Sequence, residues 1–310
     1  MSPDQEATFA RLKSEVAYAE LARTTIEVTG DDRARFLHNY CTNDINGLTP
    51  GNGCEAFFTS LQGKTLLHTF VFCHDDRFVL DASPDQADKL LPHLQKYALL
   101  DDVELADRSA ESKQWLLVGA KSATVLSQLG LSPPEEMLSH ETVGDVILRR
   151  VPLATVPSFL LQTNSDSDLA DRLSQTEAEL IDQEVVQALR IEARFPKFGQ
   201  DVTDDNLPQE VSRDAVAISF TKGCYLGQET VARIDAVGHV NKYLVAFESS
   251  ESLRVGDEVF EAGNREKVVG HLTSVSELNG KSSALGYLRR AVIEAKSSVE
   301  TASATLRLLD

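Results

Sequence analysis

The sequence predicts an α+β fold with two related α+β units and a small C-terminal β-barrel. A strand, helix, strands, helix order fills the first third of the chain and partly recurs in the second. Beyond about Gly238 the pattern changes to short β-type runs separated by turn residues. The length of 310 residues is also too great for one ordinary core. We therefore expect a first unit over residues 1–112, a second over 113–237 and the barrel over 238–310.

The elements of the first unit follow from apolar spacing and turn residues. Apolar side chains recur at near-helical intervals over residues 9–21, which predicts an amphipathic helix at the start. Gly30-Asp31-Asp32 places an aspartate at the N-cap of a second helix that runs through Leu37. Pro92 is expected to break or kink a third helix. The remaining predictions are strands over 24–28, 55–61, 66–72 and 77–81 and this third helix over 83–94.

The second unit repeats the order of the first in pattern rather than in residue identity. An apolar run over residues 215–220 predicts a strand near its end, and residues 229–234 favour a helix. The other predicted elements are strands over 115–118, 146–150 and 158–162 and helices over 121–129 and 166–180.

The barrel is predicted from turn signals between short β-type runs. These signals are the pairs Gly256-Asp257, Gly263-Asn264 and Asn279-Gly280. A small all-β module of this kind closes most naturally into a barrel. Its strands are predicted over 243–248, 258–261, 268–275 and 284–288.

Composition and charge restrict the function. The chain has 48 acidic and 30 basic residues, for a net charge of −18. Such a surface repels phosphate backbones and anionic lipid, which argues against direct nucleic-acid binding and against a membrane surface. The first six residues are acidic and lack a basic or apolar stretch, so we expect no signal peptide, and no apolar run is long enough for a membrane span. A cytoplasmic protein is the expectation.

Four cysteines occur, and one of them stands in an unusual setting. Cys224 lies between two glycines and two residues after Lys222, in the segment KGCYLGQE over 222–229. Glycine permits tight backbone turns, and a neighbouring cation raises the reactive thiolate fraction of a cysteine. Between the strand and the helix predicted on either side, Cys224 is expected on a strand-to-helix turn near a positive helix end. We therefore predict Cys224 and Lys222 as catalytic residues, with a packed structural thiol as the alternative.

The other three cysteines, Cys41, Cys54 and Cys73, are expected to be small buried hydrophobes. No CxxC spacing or Cys/His set typical of zinc occurs, so no metal site is predicted. This cysteine usage fits a reducing compartment.

The segment KGCYLGQE resembles the signature K-G-C-Y-x-G-Q-E of the YgfZ branch of the YgfZ/GcvT family, folate-binding relatives of the glycine-cleavage T-protein. Weaker matches flank it in family order, so the resemblance covers essentially the whole chain. They are GDDRARFL (30–37) with TND (42–44), LRIEA (189–193) with GQD (199–201) and LPQE (207–210), and VGHLTS (269–274) with ALGY (284–287).

The resemblance implies three lobes around a central channel that holds tetrahydrofolate. It also implies a role in assembling or repairing iron–sulfur clusters, including those of radical enzymes that modify tRNA. Folate and iron–sulfur client or assembly proteins are therefore the expected partners. One cysteine cannot hold a cluster alone, because clusters typically need about four cysteine ligands, so Cys224 is expected to act transiently.

The resemblance also implies folate-binding residues. In the family, the glutamate of the L-R-I/L-E segment, here Glu192, accepts two N–H bonds from the pteridine, a strong charge-assisted match. A salt bridge from Glu192 to a neighbouring arginine is the alternative. Tyr225 is predicted to stack on a flat ring or to pack in the turn, and Gln228 of the signature is placed with it at the cofactor. Arg233, like Lys222, is predicted to contact a folate glutamate tail or an anionic partner, or to be a solvated charge.

This chain departs from the T-protein branch at one site that matters for the reaction. The T-protein branch carries a paired aspartate in the strand-turn-strand of the first unit, at places that fall roughly on Leu67 and His68 here. A leucine cannot accept a proton or orient an amine, which argues against aminomethyl transfer by the usual mechanism. His68 has the pKa range of a replacement base, although a histidine in an apolar strand is more often packed.

Three functions stay open at the level of the sequence. The first is a tetrahydrofolate-binding accessory protein for iron–sulfur cluster assembly or repair that uses a reactive Cys224. The second is an aminomethyltransferase like the T-protein, and the third is a non-catalytic folate-binding scaffold. Whether the chain is an enzyme is not decided by its sequence.

Overall fold

The computed structural model describes residues 2–278 and 280–309, so the predicted turn at Asn279-Gly280 lies partly outside the described residues. The helices within these ranges are α1 (Pro3–Arg11), α2 (Arg33–Tyr40), α3 (Ala87–Gln95), α4 (Ser122–Gln128), α5 (Leu169–Ser174), α6 (Gln183–Glu192), α7 (Asp214–Ala217), α8 (Gln228–Val237) and α9 (Arg290–Glu294). Short 3-10 turns occur at Ala98–Leu100, Ser109–Glu111 and Pro208–Val211.

The strands form three sheets. In chain order they are β1 (Val16–Leu21), β2 (Thr24–Thr29), β3 (Gly53–Thr59), β4 (Thr65–Cys73), β5 (Phe78–Ala82), β6 (Glu104–Asp107), β7 (Ser112–Gly119), β8 (His140–Val143), β9 (Val146–Arg150), β10 (Ser158–Asn164), β11 (Glu179–Leu180), β12 (Lys242–Ser249), β13 (Glu258–Glu261), β14 (Asn264–Leu278), β15 (Lys281–Arg289), β16 (Val299–Glu300) and β17 (Thr305–Leu309).

The first sheet is antiparallel, with the strand order β3-β4-β5-β2-β6. One of its faces is covered by α2 and α3, which bury Leu37 and Leu90 against Ile26 and Leu80 of the strands. Alternation along each strand sends the opposite set of side chains, including Phe70 of β4, to the other face. That other face meets the second sheet.

The second sheet has the order β11-β1-β7-β10-β9-β8, and the β1/β11 pair is its parallel one. Leu116 and Leu160 of this sheet pack with Phe70 and Phe72 of the first in one shared core. Helices α4 and α5 cover its outer face. The two sheets therefore form a sandwich with helices outside, and α1 and α6 close the shared core at one end.

The N-terminal segment completes the second sheet rather than the first. All six residues of β1 pair with β7, from Val16 opposite Gly119 to Leu21 opposite Gln114. Both α1 and β1 lie within the range 1–112 that the sequence suggests for the first unit. The boundaries 1–112, 113–237 and 238–310 stay a proposal.

The C-terminal strands close into a six-stranded barrel in the order β12-β15-β14-β13-β16-β17, with β17 returning to β12. Its wall docks on the loop after α6. The Tyr287 hydroxyl donates to the backbone carbonyl of Asp201 over 2.9 Å, and the side chains of Thr273 and Ser274 donate to the Asp201 carboxylate, each over 2.5 Å. These buried bonds fix the barrel against the second unit.

The predicted α+β class with a small C-terminal barrel is confirmed, together with most of its elements. The helix predicted over 9–21 is wrong from residue 12 onward. The helix α1 ends at Arg11, and residues 16–21 pair along their whole length with β7 instead. The helix predicted over 166–180 shortens to α5, and its end becomes β11. Pro92 lies inside α3 without ending that helix. None of the helices in the described ranges has the length and apolar character needed to cross a bilayer.

The strand predicted over 215–220 is also wrong. Residues Asp214–Ala217 form the short helix α7 instead. Side chains of the first unit donate hydrogen bonds to the backbone carbonyls of α7. Thr42 Oγ1 donates to Ala217 O over 2.6 Å, and Asn43 Nδ2 donates to Val216 O over 2.9 Å. Apolar composition alone does not reveal these bonds, which replace a neighbouring strand as the partner of this backbone.

Candidate functional site

A cavity of about 950 Å³ lies where the two units and the barrel meet. The connection between β1 and β2 lines it from one side, together with Ser83-Pro84 after β5. Helix α6 and the segment Phe195–Lys197 line it from the second unit, and the stretch 275–277 of β14 from the barrel. Its volume falls in the range of sites that enclose a small organic ligand.

The inner wall of this cavity is held by a buried ion pair. Arg190 of α6 donates to Asp201 over 2.7 Å, to Ser274 over 2.6 Å and to the carbonyl of Phe195 over 3.2 Å. Its Nε donates to Gln187 over 2.8 Å. Asp201 is fully buried and ties Arg190 to the barrel. Arg190 therefore has a structural role, because its hydrogen bonds join the second unit to the barrel.

Glu192 ends α6 and is exposed. Its Oε2 accepts a hydrogen bond from Thr155 Oγ1 over 2.8 Å. A salt bridge with Arg190, one of the alternatives, does not form, because Arg190 pairs with Asp201. Glu192 lies two residues beyond Arg190, the last α6 residue in the cavity wall, and so points to a different side of the helix. Its role at the pteridine stays a prediction.

Replacing Glu192 by alanine is expected to weaken tetrahydrofolate binding by about 1–3 kcal/mol, the usual loss for a charged hydrogen-bonding partner. Titration calorimetry on the full chain measures the difference. Glu294→Ala, an exposed glutamate on α9 outside the cavity wall, is the matched control and should leave the affinity unchanged. An unchanged affinity in Glu192→Ala would remove this residue from the site.

The places of the T-protein aspartates hold a buried cluster. His68 Nε2 lies 2.7 Å from Glu55 Oε1, and Arg213 donates to both oxygens of Glu55, its Nε over 2.7 Å. Burial alone would raise the pKa of Glu55, but the hydrogen bonds and charges of Arg213 and His68 outweigh it and lower that pKa to about 2. The imidazole of His68 stacks on the ring of Phe57, and the ring of Phe195 lies against it at a tilt. His68 is thus a packed histidine paired with Glu55, which is the alternative to a replacement base.

The loop that carries Cys224 runs from α7 to α8 and lies against the first unit. Leu226 N donates to Asn39 O over 2.9 Å, and Thr59 Oγ1 donates to Leu226 O over 2.5 Å. Cys224 itself is exposed, whereas Cys41 and Cys73 are buried and Cys54 is half-buried. The loop precedes the N-terminus of α8 as predicted, although a short helix rather than a strand leads into it.

Lys222 anchors this loop. Its buried ammonium group donates to the carbonyl of His38 in the last turn of α2 and to those of Cys41 over 2.8 Å and Asn43 over 2.9 Å, just beyond the end of that helix. An ammonium group has three N–H donors, so these bonds use all of them. Burial lowers the pKa of Lys222. The geometry gives Lys222 a structural task, and its predicted part in activating Cys224 stays a prediction.

The other predicted folate residues lie away from the described cavity wall. Tyr225 is buried in the core between α8 and the barrel, with the Lys222 ammonium 5.0 Å from its ring centre. Gln228 is the first residue of α8, and Arg233 is exposed on the same helix. The structure brings Lys222 and Tyr225 together beside Cys224, and Tyr225 shares its apolar cluster with Ile191, the residue before Glu192. The contact of these residues with folate stays a prediction.

Gly227 is the residue on which the shape of this loop depends. Its φ is +83°, and an added Cβ would lie 2.4 Å from the carbonyl oxygen of Ser60. We therefore expect Gly227→Ala to displace the loop and to destabilise the protein by about 2 kcal/mol or more, from backbone strain together with the clash. Urea unfolding and limited proteolysis at the loop measure both effects.

Gly263→Ala is the matched control for this prediction. Its φ is +79°, but no atom lies within 4 Å of the added Cβ, so it carries the backbone strain without the clash. Equal losses in the two variants would mean that packing against Ser60 contributes nothing.

Sequence reasoning missed Glu55 and Asp81 as buried charges and Arg213 as the half-buried partner of Glu55. The available signal is that Asp81 interrupts an apolar strand whose neighbours are buried on both sides, and that Glu55 directly precedes the buried residues 56–59 of β3. Such an interruption indicates a paired charge, although it does not identify the partner.

Two α+β units and a closed barrel around one cavity define a protein with the fold of aminomethyltransferase T. The crystal structure of glycine cleavage system aminomethyltransferase T from Bartonella henselae superposes with a TM-score of 0.89 at 19% identity, over 99% of this chain and 88% of that one. A family model described as the GCVT N-terminal domain matches residues 5–222. The chain belongs to this family, and the predicted resemblance is confirmed.

Named relatives are similar over most of the chain. A putative chloroplastic transferase, At1g60990 of Arabidopsis thaliana, is 26% identical over 279 residues, which are 86% of this chain and 63% of that protein. The tRNA-modifying protein YgfZ of Yersinia pseudotuberculosis serotype O:1b (strain IP 31758) is 27% identical over 261 residues, or 82% of this chain and 78% of that protein. The chain thus spans less than two thirds of the plant relative.

Proposed function

We propose that this chain binds tetrahydrofolate in the large cavity and serves as an accessory protein for iron–sulfur cluster assembly or repair, with Cys224 as its working thiol. The observation that carries the proposal is the cavity of about 950 Å³ at the junction of all three lobes, in a chain of the GCVT N-terminal domain family. Tetrahydrofolate is a ligand of the size that such a cavity encloses. The name of the Yersinia relative supports tRNA-modifying enzymes among the clients.

The position of Cys224 supports the second half of the proposal. The thiol is exposed, on a loop held at both sides by bonds to the end of α2 and to β3. An exposed thiol on a fixed loop can meet a partner protein without unfolding. Because one cysteine cannot hold a cluster alone, the partner supplies the remaining ligands.

Aminomethyl transfer is less well supported. Leu67 is fully buried, and His68 has its Nε2 on Glu55 and its ring between two phenylalanines. Neither side chain is free to orient a ligand amine, which is the task of the aspartate in the T-protein branch. A non-catalytic scaffold would not explain why the cysteine of the signature is exposed.

Tetrahydrofolate is expected to bind the full chain with micromolar affinity, roughly −8 kcal/mol. Calorimetry tests this directly, and an assay of glycine cleavage that depends on the hydrogen-donor protein tests the alternative. Binding without glycine cleavage agrees with the proposal. Robust turnover would favour the aminomethyltransferase, and the absence of folate binding would overturn the folate half of the proposal.

A further inference from the structure

Arg23 stands at the boundary between two cavities. The large cavity and a second one of about 310 Å³ share the residues from Glu20 to Arg23 and Pro84 in their walls. The connection between β1 and β2 therefore separates the two spaces. The Arg23 side chain is 10% exposed and lines both of them.

A buried carboxylate fixes the orientation of Arg23. Asp81 of β5 accepts on its Oδ1 from Arg23 Nε over 2.5 Å and also from Arg23 Nη2. The other oxygen of Asp81 accepts from Arg149 Nη1 over 3.1 Å. A guanidinium has five N–H donors, so these contacts hold Arg23 in place and leave donors for a ligand.

The three residues carry one positive charge in excess. Two guanidinium groups share one carboxylate, and both Asp81 and Arg149 are 0% exposed. Within the described residues, Arg149 Nε and Nη2 are buried without a hydrogen-bond partner. Burial of a charge that is not fully compensated is costly, and a nearby anion offsets that cost.

The surroundings of this cluster do not supply the missing negative charge. Burial lowers the pKa of Arg149 to about 10, and the charged groups that act on it are Asp81, Arg23 and Arg77. The rings of His74 and His140 lie 4.3 Å apart, and burial lowers their pKa values to about 3 and about 4. Both histidines are thus neutral at pH 7.

The other cations on the wall of the large cavity are less suited to bind an anion there. Arg190 gives its donors to Gln187, Phe195, Asp201 and Ser274. Lys197 has an exposed side chain at the rim, where water competes for its ammonium group. Arg23 combines burial, fixed orientation and free donors.

We propose that Arg23, held by Asp81, binds a carboxylate of the glutamyl group of the folate ligand where the two cavities meet. This inference rests on the proposed function, because it assigns the anionic end of that same ligand. The carboxylate approaches from the large cavity, since the second cavity has more acidic than basic residues in its wall and repels further glutamates. Its charged lining is Glu20, Asp85, Asp88 and Asp107 against Arg23 and Lys113.

The test compares 5-formyltetrahydrofolate with its glutamate dimethyl ester, which has the same rings and a neutral tail. For the wild-type chain we expect the ester to bind about tenfold more weakly than the acid. Arg23→Met should bind the acid about tenfold more weakly than wild type and the ester equally well. Arg108→Met, a surface arginine outside both cavities, is the matched control and should keep the wild-type ratio.

The outcomes separate this inference from the proposed function. Equal binding of acid and ester by the wild-type chain would overturn the role of Arg23 and leave folate binding intact, whether or not the variant folds. Equal weakening of both ligands in Arg23→Met would mean that Arg23 only supports the structure. Binding of neither ligand by the wild-type chain would overturn the inference and the folate proposal together.

Discussion

Replacing Cys224 by serine is expected to reduce the activity of iron–sulfur client enzymes in cells to the level found without the protein. Serine keeps the size and exposure of the side chain but removes the nucleophilic and metal-binding thiolate. Because the residue is exposed, the melting temperature should not change, and tetrahydrofolate should bind as before. Client activity in cells, calorimetry and thermal unfolding measure these three quantities.

Cys73→Ala is the matched control, because it removes a buried thiol at the end of β4, far along the chain from the motif. It should leave client activity intact. Alkylation of the native protein by iodoacetamide adds a direct readout, with Cys224 expected to be labelled first of the four cysteines. Full client activity in Cys224→Ser, with folate still bound, would refute the thiol mechanism.

Replacing Arg213 by methionine is expected to destabilise the fold by about 3–5 kcal/mol, because it leaves the buried Glu55 carboxylate without its bidentate partner. The double variant Arg213→Met/Glu55→Gln removes the stranded charge and should recover a large part of this loss. Urea unfolding of wild type and both variants measures the free energy of unfolding. A double variant less stable than the single one would contradict the charge explanation.

The same cluster makes a prediction about pH. The pKa of Glu55 is lowered from 4.5 to about 2 in the folded chain, so the ionised group stabilises the fold above its unfolded pKa. The contribution of about 3 kcal/mol is fully present above about pH 4.5 and is lost as the pH falls toward 2. Wild type should therefore lose stability in that window more steeply than the double variant.

The fold class and the functional loop could be predicted because both depend on local signals. The strand predicted over 258–261 coincides with β13, where the flanking turn pairs agree with the strand preference of Val259 and Phe260. The place of Cys224 on a loop directly before a helix could be predicted from the glycines around it and the helix-compatible residues that follow. In these places, short-range backbone preference and the final structure point the same way.

What could not be predicted depends on contacts between distant residues. Residues 16–21 continue a helical apolar pattern, yet pairing with β7, about a hundred residues away, makes them a strand. Lys222 precedes Cys224 closely in sequence, but its ammonium group turns to the end of α2. The two guanidinium partners of Asp81 come from Arg23 and Arg149, and only the packing of the two sheets reveals the shared carboxylate.

The pairing of β1 with β7 imposes an order on biosynthesis. The ribosome releases residues 16–21 long before residues 112–119, so the first strand of the chain has no ladder partner while the sheet of β2 to β6 is already able to close. Its apolar face stays unprotected during that interval, and its later capture is a slow, non-local step. The nascent N-terminal strand therefore stays unpaired until residues 112–119 have been synthesised.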